Sequence, residues 1–149
     1  MRVIIQRVRE ASVVVEDEKV ANIQQGLLVL LGIEIEDIKE DANWLAKKIS
    51  ALRIFSDEEG VMNKSITEIG GEVIVVSQFT LYAKTKKGNR PSYIKASRPE
   101  QAIPLYALFK EELSQLIGKK VQSGVFGANM QVSLINDGPV TIIIDTKNK

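Results

Sequence analysis

GLLVLLGI, residues 26–33, is apolar at every position except its two glycines, and its reading decides the fold. A half-buried strand alternates apolar and polar side chains, whereas a run that is apolar on both faces needs cover on both. Directly after it, Ile38, Ala42, Leu45, Ile49 and Leu52 recur at steps of four and three. That spacing predicts an amphipathic helix, with Asp37 and Glu40 at its start, where negative charge suits the helix dipole. Upstream, RVIIQRV (2–8) and ASVVVED (11–17) read as two β-branched strands joined by a short polar corner into a hairpin, with KVANI (19–23) beyond a turn.

The second half repeats the strand–helix order. GEVIVVSQFTLYA (71–83) reads as a strand that turns polar towards its end, preceded by the turn-rich loop SDEEGVMN (56–63). The carboxylates of that loop lack the alternating ligand pattern of a calcium site and read as turn residues. A second helix is predicted from the capping spacing of Ser97 and Glu100, with Pro99 in its first turn. Ala102, Tyr106, Phe109, Leu113 and Leu116 supply its apolar face, and Pro104 is expected to kink its early part or delay it by a turn. The tail, VQSGVFGANMQVSLINDGPVTIIID (121–145), gives up to three strands, the last two joined at Asn-Asp-Gly-Pro.

Two helices cannot cover both faces of about seven strands. The expected fold is mixed α/β, β(2)-(βα)2-β(3), as two packed sheets or a flattened barrel with both helices on one outer side, β/β/α in layers. Residues 1–149 form one domain, with no repeat, linker or low-complexity tract.

Composition narrows the chemistry. The chain has no cysteine and no histidine, which excludes a Ser-His-Asp triad, a Cys-His pair, a disulfide framework and the usual zinc sites. Catalysis is left to carboxylates, hydroxyls, lysine, backbone dipoles or a group carried by the substrate, and no cofactor or metal is expected. No apolar run approaches the roughly 20 residues of a membrane helix, and the charged start MRVIIQRVRE is no signal peptide, so a cytoplasmic protein without membrane contact is expected.

The net charge is +1, yet Val73–Pro99 holds no acidic residue and carries Lys84, Lys86, Lys87, Arg90, Lys95 and Arg98. Gly88, Asn89 and Pro91 keep KTKKGNRPSY (84–93) from a long helix or strand. It reads as a projecting basic loop that is either solvated or set to meet a polyanion. Just before it, Gln78 and Thr80 project together if the strand persists. A side-chain amide and a hydroxyl there suit carbonyl polarisation, and free backbone N–H groups would add an oxyanion hole. Gly138-Pro139 is either a plain turn or, if cis, a rigid wall in a site.

SQFTL (77–81), the KGNRPSY loop (87–93) and the tail GxFGAxMxVxLxNDGPVT (124–141), in this order, resemble the D-aminoacyl-tRNA deacylases, as do RVIIQRVREASVVV, GLLVLLGI and RIFSDEEGVMN. The resemblance covers essentially the whole chain. It implies hydrolysis of the ester between a D-amino acid, or mischarged glycine, and the 3′-terminal adenosine of tRNA. The products are the free amino acid and tRNA. It also implies a homodimer with active sites at the interface, where Gly138 and Pro139, cis and braced by Arg7, enter the partner's pocket and reject L-amino acids by collision. Ser77, Gln78, Phe79 and Thr80 would hold the amino group and ester carbonyl. Ala102 and Met130 would shape the pocket, and Lys84, Lys86, Lys87 and Arg90 would bind the tRNA. Two mechanisms are open, Thr80 as nucleophile or the terminal 2′-hydroxyl of the tRNA assisting water; without histidine the second is favoured. The competing readings are a non-catalytic RNA-binding β-domain and a metal-free hydrolase of small D-amino-acid esters or amides.

Overall fold

The computed structural model describes residues 1–149. β1 (Arg2–Val15) is a single 14-residue strand, where a hairpin of two was expected. The polar pair Arg9-Glu10 that suggested a corner is a bulge. β1 returns through a turn at Glu16-Asp17, both at positive φ, into β2 (Glu18–Ile23) and then β3 (Gly26–Gly32). β2 and β3 run one after the other antiparallel to β1, with Ala11 opposite Ile23 and Val3 opposite Leu31.

α1 (Lys39–Ala51) follows, then β4 (Phe55–Ser56) and β5 (Met62–Lys64), a small hairpin in which the Asp57 carboxylate accepts from the amides of Glu59 and Val61. β6 (Glu72–Ser77) pairs parallel to β3. α2 (Pro99–Ile117), β7 (Gln122–Ser123) and β8 (Gln131–Asp145) complete the chain. β8 is again one strand where two were expected. It lies antiparallel along most of β1 and continues through Asn-Asp-Gly-Pro without ending.

These long strands bend at one level. Val8 is opposite both Gly26 and Asn136, and the register breaks around it, with Asp137–Val140 extruded from β8 and Arg9 from β1. An inserted residue reverses which face the following side chains occupy. Val3 and Ile5 of β1 therefore pack towards the helices, whereas Val8, Ala11 and Val13 enter a separate core. Beyond the bend, the sheet folds over the face of β3 and β6 that is turned away from the helices. Both faces of β3 are thereby covered: Leu27, Val29 and Leu31 meet α1 and α2, and Leu28 meets Ile74, Val76, Ala21 and Ile23. The Gln122 side chain bonds the backbone of Asn22 in both directions (2.7 and 2.8 Å), tying β7 to β2 and nearly closing a barrel. The expected β/β/α layering is what forms.

Local expectations fared unevenly. The carboxylate that caps α1 is Asp41, accepting from the Ile38 amide (3.1 Å), rather than Glu40. α2 starts at Pro99 without delay and runs through Pro104. Its cap is Arg98, and Ser97 donates its hydroxyl to the Gln101 side chain (2.9 Å) instead of closing a box with Glu100. Leu116 is exposed, and Leu105 and Ile117 take the buried positions on that face.

Asp37 has a role that its place at the helix start does not suggest. It is buried and paired with the α-ammonium group of Met1, which also donates to Thr146 (2.6 Å), while the Glu34 amide donates to its other oxygen (2.7 Å). Removing one partner of a buried pair strands the other charge at a cost of about 3–5 kcal/mol. Asp37→Ala is expected to lose stability of that size in urea unfolding. A loss below about 1 kcal/mol would show that the pair contributes little.

Candidate active site

β3 and β6, being parallel, end side by side, and the chain must leave β6 without colliding with β3. It does so in a single 3-10 turn, Phe79–Tyr82. The strand expected to persist through Thr80 stops at Ser77. The turn passes so close to Gly32 that a Cβ there would stand 3.1 Å from the Gln78 carbonyl oxygen. The Gln78 amide still donates to Leu31 (2.8 Å). The amides of Phe79 and Thr80 carry no backbone partner, as the first N–H groups of a helical turn lack one within it.

These strand ends form the floor of a cavity of about 280 Å³, closed on one side by Ala102 of α2 and on another by the segment Phe126–Met130. Ser77, Gln78, Phe79, Ala102 and Met130 all line it. Thr80 does not. Its hydroxyl accepts a hydrogen bond from the Gln78 side-chain amide, so Thr80 orients Gln78 from behind. Phe79 is 55% exposed and meets Tyr93 edge-on, with ring centroids 5.0 Å apart. Phe126–Asn129 and Ser97 also line the cavity, although sequence reasoning singled out none of them as site residues. Gly127, at φ 77°, was the available signal, a glycine marking a tight turn beside Met130. Behind the wall, Tyr106 donates its hydroxyl to Val75 (2.9 Å) and packs edge-on against Phe126. Burial pushes that hydroxyl up to about 12, which keeps it a neutral donor.

No lining residue of this cavity is titratable. It offers an amide side chain, hydroxyls and the unengaged backbone N–H of Phe79, a set that can polarise a carbonyl and stabilise an oxyanion. It contains no side chain able to take a proton from water.

The basic segment leaves the same turn. Lys84 and Ser92 exchange backbone hydrogen bonds (2.8 and 3.0 Å), so the residues between them project as a loop. Lys84, Lys86, Lys87 and Arg90 are exposed and form no ion pair.

Gly138-Pro139 lies elsewhere. The peptide is cis, with Gly138 at φ 136°, in the segment extruded at the bend. Arg7, 9% exposed, clamps it: its Nε donates to the Asp137 carbonyl (2.9 Å) and its Nη1 to Ile54 (2.6 Å). Arg7 is opposite Leu27, while the cavity lies beyond Leu31. At the rise of a strand the four residue steps from Leu27 to Leu31 span about 13 Å along β3, and neither Gly138 nor Pro139 lines the cavity of its own chain.

The family model described as D-Tyr-tRNA(Tyr) deacylase matches residues 4–145. The D-aminoacyl-tRNA deacylases of Flavobacterium psychrophilum and Parabacteroides distasonis are 66% and 61% identical over all of this chain and 99% of theirs. A solved structure called c-Myc DNA Unwinding Element Binding Protein is 41% identical and superposes with a TM-score of 0.91, over 97% of this chain and 98% of that one. A probable eukaryotic D-amino acid tRNA deacylase, at 18% identity and a TM-score of 0.83 over 96% and 97%, shares the fold. With its core matched almost from end to end, this chain belongs to the D-Tyr-tRNA(Tyr) deacylase family.

Proposed function

We infer that this protein hydrolyses the ester linking a D-amino acid, or glycine, to the 3′-terminal adenosine of tRNA, and works in the cytoplasm. One observation carries the mechanism: the cavity beside Ser77–Phe79 has carbonyl-polarising groups and no titratable side chain. Such a site positions the ester and stabilises its oxyanion, and leaves activation of water to the neighbouring 2′-hydroxyl of the substrate. Gln78 and the free amide at Phe79 face the carbonyl, with Thr80 holding the Gln78 side chain in place. Ser77 holds the amino group, and Ala102 and Met130 set the cavity's shape. Lys84, Lys86, Lys87 and Arg90 meet tRNA phosphates.

Selection against L-amino acids requires a second copy of the chain, because Gly138-Pro139 stands far from its own cavity. Two features support a two-fold dimer. β8 pairs only with β1, leaving its outer edge free on both sides of the extruded corner, and proteins seldom leave such an edge uncovered. Ile135 and Ile143 on it are 50% and 68% exposed. In a symmetric pair each corner enters the other's cavity. An L-side chain would then strike it, a D-side chain would point away, and glycine would have nothing to collide.

The direct test uses purified protein with D-tyrosyl-tRNA and L-tyrosyl-tRNA. Release of D-tyrosine, with the L-ester no faster than in buffer, is expected. Binding of tRNA without hydrolysis of either ester would favour a plain RNA-binding domain.

A further inference from the structure

The 3-10 turn Phe79–Tyr82 has a cavity on each side. Gln78 and Phe79 face the first. Tyr82 and Ala83 line a second, of about 430 Å³, in which only two of ten lining residues are hydrophobic. A turn of four residues is about 8 Å long, so the two cavities are neighbours.

The charges of the second cavity divide into used and unused. Arg2 is held by Asp145 (2.9 and 2.7 Å) and by the Leu81 carbonyl (2.8 Å), and Lys147 by Asp41 (3.1 Å) and Asp37 (3.5 Å). Lys84, Lys95, Glu34 and Glu36 also line the cavity and form no ion pair with one another or with any other residue. Their backbones are fixed near the chain crossings at the base of the basic loop. Lys84 is bridged to Ser92, Glu34 is paired with Ala96, and the Ile35 amide donates to Lys95 (3.2 Å). Tyr82 lies 4.9 Å beneath the Arg2 guanidinium, and its hydroxyl has no protein partner.

Two unused cations and two unused carboxylates in one polar cavity match a ligand with both an anionic group and hydroxyl or amine donors. A bare anion would satisfy the lysines and be repelled by the glutamates. An apolar group would satisfy neither. A ribonucleotide carries a phosphate for the first pair and a 2′-hydroxyl or base amine for the second. We propose that this second cavity is a subsite for the nucleotide immediately 5′ to the acylated adenosine, with its phosphate on Lys84 and Lys95 and its sugar or base donors on Glu34 and Glu36. The assignment rests on the aminoacyl-tRNA reading of the first cavity.

The test compares D-tyrosyl-adenosine with a D-tyrosylated ribodinucleotide ending in adenosine. It adds equilibrium binding of the fluorescently labelled dinucleotide without an amino acid. The wild-type kcat/KM is expected to be at least about tenfold higher for the dinucleotide, through KM. Lys95→Ala and Glu34→Gln are each expected to erase most of that advantage and to weaken dinucleotide binding about tenfold, with unfolding midpoints kept near wild type. Equal kcat/KM for both wild-type substrates, or variants that bind the dinucleotide as wild type does, overturns the subsite. Tight, Lys95-dependent binding with hydrolysis of neither ester keeps the subsite and overturns the deacylase reading alone.

Discussion

Gly138→Ala is expected to lower the preference for D- over L-tyrosyl-tRNA by about 100-fold in kcat/KM, about 2.8 kcal/mol at 1.4 kcal/mol per factor of ten. A Cβ at that position would stand 2.8 Å from Cγ2 of Val140 and 3.1 Å from Nη2 of Arg7, on a backbone at φ 136° that L-residues rarely adopt. Something must shift, and both neighbours belong to the clamp. Val140 holds β8 through the Asn136 side chain (2.8 Å), and Arg7 holds the Asp137 carbonyl. A displaced corner no longer meets the L-side chain. The measurement is the initial rate on each enantiomer, with dimer content checked by sedimentation. An unchanged preference in an intact dimer would remove Gly138-Pro139 from the selection.

The second large effect concerns the substrate. Replacing the terminal adenosine by its 2′-deoxy form is expected to slow single-turnover hydrolysis about 10²- to 10⁴-fold, the usual worth of a positioned proton acceptor. Thr80→Ala should cost less than about tenfold, because Thr80 is outside the cavity and its hydroxyl is engaged by Gln78. The opposite ranking would make Thr80 the nucleophile. Nothing in the cavity favours that ranking, since a threonine hydroxyl needs a base and no lining side chain is one.

Much of the fold was legible because burial leaves a periodic trace. β3, covered on both faces, had to be apolar throughout, and the helix faces of α1 and α2 showed their spacing. The continuity of β1 and β8 was not legible. Arg9-Glu10 and Asn136–Pro139 have the composition of turns, and a bulge uses the same residues as a turn. What separates them is the pairing of each strand along the full length of the other, a non-local fact with no local signature. The site was partly legible for a related reason. Ser77–Phe79 and the basic loop are contiguous in sequence, whereas Ala102 and Met130 join the cavity through tertiary packing, and residue chemistry alone does not mark them. Asp37 reads from sequence only as a charge suited to a helix start, because nothing local points to its partner, the α-ammonium group 36 residues away.

The bend shared by β1 and β8 ties two properties together. The elbow assigned to stereochemical choice sits on the fold line that also turns the sheet over its inner core. A change at this elbow large enough to lose the register of β1 with β8 would leave Val8, Ala11 and Val13 uncovered. On the proposed function, large changes at the elbow are expected to lose discrimination and soluble protein together, whereas a change as small as Gly138→Ala loses discrimination alone.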